Sequence, residues 1–181
     1  MRRKLFVLLT TLFIYTINST LVFADIKEKS SPLEEFYPEV GYKAMEEAVK
    51  DFEEHFKLDL KLPLRIPPLE FTHYFGRFND LDGEINDSLE VVFINEQKPI
   101  NQYTIDVRPI KHKIPFKGVR DRYIKQIFVL NNGREALLIA NPSSEVLVFE
   151  YNNLQYMLSV NKTVSKKITP DILIQIANTI K

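Results

Sequence analysis

Carboxylate side chains crowd around a glycine between residues 80 and 87, in the sequence Asp-Leu-Asp-Gly-Glu-Ile-Asn-Asp. Oxygen ligands of this kind bind calcium when they follow the spacing of a calcium-binding loop. Gly83 fixes the register of such a loop, so the first ligand position falls on Phe78 and the twelfth on Leu89. Neither side chain offers an oxygen. The pattern therefore predicts a polar hairpin turn with Asp82 and the glycine at its centre, and no bound metal.

The histidines do not follow the spacing of a metal site. His55, His73 and His112 are far apart in the sequence, and the chain has no cysteine, so zinc is not expected. The residues of a Ser-His-Asp triad need not be close in the sequence, so a hydrolase remains an alternative, although no serine lies in a G-x-S-x-G motif. With 5 glycines, the chain also lacks the glycine-rich motifs that bind nucleotide phosphates. No cofactor is expected.

Basic side chains concentrate in one stretch of the second half of the chain. Because Pro109, Pro115 and Gly118 interrupt it, we predict a long loop between two strands, and such loops often carry function. One hypothesis is contact with an anionic partner, either a wall polymer, an acidic lipid headgroup or an acidic protein. The alternative is a solvated loop without a partner. The candidate binding residues are Arg108, Lys111, His112, Lys113, Lys117, Arg120 and Arg122.

The first residues have the three regions of a signal peptide. Arg2–Lys4 is positively charged, Leu5–Tyr15 is almost wholly apolar, and Val22–Ala24 places small residues where a signal peptidase cleaves. The apolar run is shorter than the about 20 residues that a membrane span needs. We therefore predict cleavage near Ala24 and a protein that is secreted or associated with the cell wall. The alternative is an uncleaved membrane anchor over Leu5–Phe23.

Beyond the predicted cleavage site, the composition is that of one ordinary domain. We expect a flexible lead-in over residues 25–37 and a single α+β domain over residues 38–181. The absence of cysteine excludes disulfides, which fits a Gram-positive bacterium better than a eukaryotic secretory pathway. Without the three basic residues of the leader, 21 basic side chains stand against 24 acidic ones, a net charge of −3. That charge argues against nucleic acid as a partner.

The periodicity of the apolar residues predicts a helix, a run of strands and a second helix. Apolar side chains recur every three or four residues over Tyr42–Phe56, and again over Ile172–Ile180 after the helix-start residue Thr169. We therefore expect an α+β fold, with an antiparallel meander of six to seven strands flanked by an N-terminal and a C-terminal α-helix. The predicted strands are Phe71–Phe78, Leu89–Asn95, Gln102–Arg108, Tyr123–Leu130, Ala136–Ile139, Val146–Tyr151 and Leu154–Val160.

The last third of the chain is similar to a known family. Two predicted strands, Val146–Tyr151 and Leu154–Leu158, lead into the closing segment Ile168–Ile180. Through them, residues 63–181 resemble a bacterial domain of unknown function at the C-terminal end of exported and sporulation-associated proteins of spore-forming Gram-positives. Phe149 stands where that family commonly has tryptophan. The resemblance implies an exported accessory or sensory domain and supplies no catalytic residue.

Three functions are open from the sequence. The first is a non-enzymatic binding or interaction domain of the bacterial cell envelope. The second is a carrier of an apolar or lipid ligand between sheet and helices, and a large apolar cavity would favour it. The third is a hydrolase without a recognisable motif, which a cleft joining His73 or His112 to a carboxylate and a hydroxyl would favour. A coherent surface patch would favour the binding domain.

Overall fold

The structure, a computed structural model, describes residues 31–80, 86–164 and 166–181. Within it, Pro32–Lys181 forms one compact unit. The predicted signal peptide and the predicted turn at Asp82 lie outside the described residues. None of the helices described is long and apolar enough to cross a membrane.

The described part of the chain contains three α-helices, namely α1 (Pro32–Glu39), α2 (Met45–Phe56) and α3 (Pro170–Ala177). Residues 32–37, which the sequence placed in the lead-in, are thus helical, and Tyr37 is buried. The second helix begins three residues later than the apolar period suggests, because Lys43 pairs with a strand edge instead. The third begins at the predicted proline, with Thr169 as its N-cap.

Seven antiparallel strands form one sheet in the order β1-β2-β3-β7-β6-β5-β4. The strands are β1 (His73–Asn79), β2 (Ser88–Ile94), β3 (Gln102–Pro109), β4 (Ile124–Val129), β5 (Glu135–Ala140), β6 (Ser144–Tyr151) and β7 (Leu154–Asn161). The predicted α+β fold with an antiparallel sheet and helices at both ends is confirmed. The strand order joins two meanders, β1-β2-β3 and β7-β6-β5-β4, which meet where β3 pairs with β7. Residues 110–123 must therefore cross from the centre of the sheet to its β4 edge.

One face of the sheet, which we call the helix face, packs against α2 and α3. Alternate strand residues point to it, as the period of two requires. Together with the helices they form the main core, whose burial is the chief stabilising contribution to the fold. Its largest members include Phe52, Tyr103, Leu147, Tyr156, Leu158 and Leu173.

The opposite face, which we call the second face, is covered by different parts of the chain. Tyr37 of α1 packs there with Val92 and Ile94 at the β1–β2 end. The strand register aligns one row of side chains across all seven strands, charged on β1–β3 and apolar or thioether-bearing on the rest. From β1 to β4, in sheet order, this row is Arg77, Glu90, Asp106, Met157, Val148, Leu137 and Ile127.

Candidate binding surface

The connection between β3 and β4, residues 110–123, is fastened to the second face, and we call it the crossover loop. Its first residue, Ile110, donates its N–H to the Asn153 carbonyl at 2.9 Å. Ile114 donates its N–H to Gln155 Oε1 at 2.8 Å, and Gln155 Nε2 donates to the Ile114 carbonyl at 3.0 Å. Gln155 is buried on β7. These bonds to a rigid strand hold the first half of the loop at a fixed height above the sheet.

A cleft of about 440 Å³ lies between the crossover loop and strands β5 and β6. Leu137 and Val148, which are cross-strand neighbours, belong to its sheet side, and Pro115 and Phe116 belong to its loop side. The cleft exists because the hydrogen bonds at Ile114 anchor the loop over β7 before it passes over the next two strands. It opens to solvent, and its lining combines apolar side chains with charged and polar ones.

Charged side chains stand around the cleft as ion pairs between loop and sheet. Lys113 Nζ lies 2.9 Å from Glu150 Oε1, and Lys117 is paired with Glu135. Arg134 Nη1 donates to the Glu150 carbonyl at 3.3 Å. The paired side chains are all 43–54 % exposed. Exposed pairs of this kind contribute at most about 1 kcal/mol, so either lysine can exchange its carboxylate for one on a ligand at low cost.

The apolar row leads from the cleft to an open sheet edge. Val148 pairs with Leu137, and Leu137 pairs with Ile127 on β4. Ile127 and Val129 are 47 % and 69 % exposed, although both are large and apolar. β4 ends the sheet, whereas the other end is closed by Lys43, whose N–H and carbonyl both bond to Gly76.

The backbone of β4 presents hydrogen-bonding groups to this open edge. Leu130 donates its N–H to the Arg134 carbonyl at 2.8 Å, which shows that Leu130 is one of the residues of this chain segment that bond towards β5. Bonding alternates along an antiparallel strand, so the N–H and carbonyl of Ile127 and Val129 point away from β5. Edge strands with apolar side chains and free backbone groups are natural sites for another strand to add.

Four of the seven residues predicted from the basic stretch lie in the part of the crossover loop from residue 113 onward. Lys113 and Lys117 line the cleft. The Arg120 guanidinium lies 6.0 Å from the centre of the Phe116 ring. Arg122 lies 4.8 Å from the ring of the adjacent Tyr123 and is exposed.

The other three predicted residues lie elsewhere. Arg108 is buried on β3, where its Nε and Nη2 donate to Asp106 Oδ1 at 3.1 and 2.8 Å. Burial raises the pKa of the Asp106 carboxyl, and the Arg108 guanidinium partly offsets this rise. Lys111 Nζ and the His112 ring lie 5.5 and 5.9 Å from the Phe56 ring at the end of α2. The predicted basic residues therefore do not form one continuous patch.

The sheet residues of the cleft are not among those predicted from the sequence. Glu135 and Glu150 come from two strands, and only the register of β5 with β6 brings them beneath the loop. One feature of the sequence does indicate that β5 is covered on both faces. Residues 136–139 are apolar without alternation, which is typical of a strand covered on both faces.

A histidine does meet a hydroxyl and a carboxylate elsewhere, at the start of β1. His73 Nδ1 lies 2.8 Å from Thr72 Oγ1, and His73 Nε2 lies 3.9 Å from Glu34 Oε1. The Thr72 hydroxyl also accepts the Glu96 N–H at 2.9 Å and lies 3.4 Å from the Ile94 carbonyl. The Thr72 hydroxyl therefore links the start of β1 to the end of β2. These residues do not line the cleft under the crossover loop.

The space between sheet and helices is filled by side chains. Phe52 of α2 and Tyr156 and Leu158 of β7 are all fully buried in one cluster. A second cleft lies between α2 and the segment Leu60–Leu64. The geometry of the described residues therefore gives no support to a ligand held between sheet and helices. Comparison with protein-family profiles, with curated proteins and with solved structures gives no match for this chain.

Proposed function

We propose that this chain is an exported, non-enzymatic binding domain of the bacterial cell envelope, and that it binds an extended acidic segment of a partner protein. The observation that carries the proposal is the apolar row from Val148 through Leu137 to Ile127, which joins the cleft to the open edge of β4. A bound segment would add to β4 as an eighth strand and extend this row by one side chain next to Ile127.

The chemistry of the edge favours a peptide. The outward N–H and carbonyl groups of Ile127 and Val129 match those of alternate residues in an extended chain. A lipid or a wall polymer has no such repeating pair of donor and acceptor. The β4–β5 register is irregular between Ile124 and Gln126, so regular pairing is available only beyond that point.

The charge around the cleft favours acidic side chains on that peptide. Lys113, Lys117 and Arg134 stand against two carboxylates, and Arg120 adds a further positive charge next to Phe116. A peptide carboxylate can replace Glu135 or Glu150 as the partner of either lysine. The released glutamate is then solvated, since both are already about half exposed.

Peptide binding is tested by fluorescence polarisation with labelled peptides in which valine alternates with glutamate or with lysine. The acidic peptide should bind and the basic one should not. Val129→Pro should abolish binding, because proline removes an outward N–H without removing a bond to β5. Val129→Thr is the matched control, since threonine keeps the backbone donor and the strand preference, and it should bind normally.

Parallel measurements with isolated wall polymer and with acidic lipid vesicles separate the other anionic partners. If either binds both Val129 variants equally well and the acidic peptide binds neither, the partner is not a strand and the proposal is wrong. Failure of all three probes to bind the unmodified chain would also overturn it.

A further inference from the structure

Three potential metal ligands from separate elements meet at one end of the sheet. His55 lies near the end of α2, Asp80 follows β1 and Asp87 precedes β2. One ligand atom of each lies within 4.8 Å of those of the other two. The β1–β2 register pairs Asn79 with Ser88, which places the two aspartates opposite each other.

Aromatic packing brings the histidine to this pair. The Phe52 and Phe56 rings of α2 contact Phe78 of β1, with centroids 5.8 and 6.1 Å apart. The His55 ring itself packs against Phe78 at 5.1 Å. The histidine is therefore positioned by a packed core cluster and not by a surface loop.

The carboxylate of Asp87 is fully buried and directed at this histidine. Its Oδ2 lies 3.5 Å from His55 Nε2, while the His55 side chain is 29 % exposed. A carboxylate taken out of water is stabilised by a full positive charge close to it. The imidazole offers a nitrogen lone pair, and the exposed Asp80 offers a second carboxylate.

We infer that His55, Asp80 and Asp87 bind a divalent first-row transition metal ion, for which zinc is the test ion. One imidazole nitrogen and two carboxylate oxygens suit such an ion, with water in the remaining positions. Calcium takes six to eight oxygen ligands and gains little from a nitrogen. Ligand atoms about 2.0–2.2 Å from a tetrahedral ion lie roughly 3.4 Å apart, so a small rotation of the exposed Asp80 closes the site.

The calcium-loop register of the sequence predicted no metal at residues 80–87. That register tests only residues within the loop, and it places Phe78 at the first position. His55 lies on another element and enters through tertiary packing, which no spacing rule detects. The metal site is independent of the proposed peptide site, which lies under the crossover loop and along β4.

The inference is tested on the untagged chain after dialysis against chelator, with zinc, manganese, calcium and magnesium chlorides. Calorimetric titration should show one zinc ion per chain, and thermal unfolding should show a higher Tm with zinc. His55→Gln and Asp80→Asn should each weaken zinc binding at least tenfold. Zinc affinity should also fall in acid, because protons compete with the ion for the ligand atoms.

His73→Gln is the matched control, since His73 also lies near a carboxylate but outside this site. It should leave zinc affinity unchanged. The Asp80 variant keeps the test decisive if a change at the buried aspartate prevents folding, because Asp80 is exposed. The inference is wrong if zinc does not bind, if calcium binds more tightly than zinc, or if zinc binds the His55 and Asp80 variants as well as the unmodified chain.

Discussion

Gly76 of β1 lies against Ala48 of α2 so closely that a Cβ atom at residue 76 would lie 2.7 Å from the Ala48 Cβ. The backbone of Met45 would lie 3.0 Å from the same atom, so the helix itself would have to move. The close approach seats α2 on the helix face, and it places His55 over the β1–β2 hairpin.

We therefore expect Gly76→Ala to lower the free energy of unfolding by about 1–3 kcal/mol, the usual cost of overpacking. Urea unfolding measures it. Ala48→Gly in the same chain should recover part of the loss, because it removes the atom that clashes, and the two changes should then be clearly non-additive. Gly118→Ala is the contrast, since no atom lies within 4 Å of its Cβ position but its φ of +78° is left-handed. Its cost is therefore backbone strain alone, and Ala48→Gly should not relieve it. Additive effects at positions 76 and 48 would contradict the packing argument.

Two core tyrosines differ in whether their hydroxyl is bonded. The Tyr156 hydroxyl donates to the Lys61 carbonyl at 2.9 Å, whereas the Tyr103 hydroxyl is buried without a hydrogen bond among the described residues. Tyr156→Phe should therefore destabilise the fold by about 1 kcal/mol, and Tyr103→Phe should be neutral or stabilising by up to about 1 kcal/mol. Thermal and urea unfolding of both variants checks this. Equal destabilisation would show that the Tyr103 hydroxyl is satisfied.

The fold was largely predictable because its signals are local. Alternation and hairpin turns predicted every strand from residue 71 to residue 160, and Thr169 predicted the start of α3. The pairing of β3 with β7 was not predictable, since Tyr103 and Val160 are opposite each other but lie far apart in the sequence. The spacing of apolar residues within one strand does not determine which distant strand pairs with it.

The candidate sites were predictable only in part, for the same reason. The run of charge identified Lys113 and Lys117, but their carboxylate partners are set by how the crossover loop passes over β5 and β6. Arg108 belonged to the same run in sequence and is buried, because its strand position points it into the second face beside Asp106. A charge pattern gives the sign of a surface and not the direction of a single side chain on a strand.

The buried carboxyl of Asp106 gives a stability dependence on pH. Burial, together with nearby Glu90, raises its pKa in the folded state above the ordinary value, with Arg108 acting in the opposite direction. A raised folded pKa contributes stability that is fully present below the ordinary carboxyl pKa, about 3.9, and is lost as the pH rises through the folded value. The stability of the unmodified chain relative to Asp106→Asn should therefore decrease as the pH rises from about 4. Urea unfolding across this range measures the difference, and an increase would contradict the assignment.

Export is tested on the host cell. We expect the chain in the culture medium or the wall fraction, with Asp25 as its first residue, because Val22–Ala24 matches the cleavage pattern. Cell fractionation followed by N-terminal sequencing decides this. A chain that keeps Met1 and stays with the membrane fraction would instead show that Leu5–Phe23 acts as an anchor.

The lysines of the cleft should control how fast an acidic peptide associates. Opposite charges steer encounter, and exposed charges are screened beyond about 8 Å at physiological ionic strength. Lys113→Glu together with Lys117→Glu should slow association of the valine–glutamate peptide much more than it speeds dissociation. Added salt should slow association with the unmodified chain and have less effect on the double variant. Each reversal also places a glutamate beside Glu150 or Glu135, so a stability loss of up to about 1 kcal/mol per site is expected.

Lys111→Glu is the control for this charge reversal. It makes the same change of charge at a single site in the same loop, but Lys111 lies near the Phe56 ring and away from the cleft. Stopped-flow association rates for the three proteins, at low and at physiological ionic strength, separate a local from a general effect. Slowing confined to the Lys113 and Lys117 variant places the peptide under the crossover loop. Equal slowing per reversed charge by Lys111→Glu would mean that the loop acts only through its total charge, and it would contradict the cleft as the binding site.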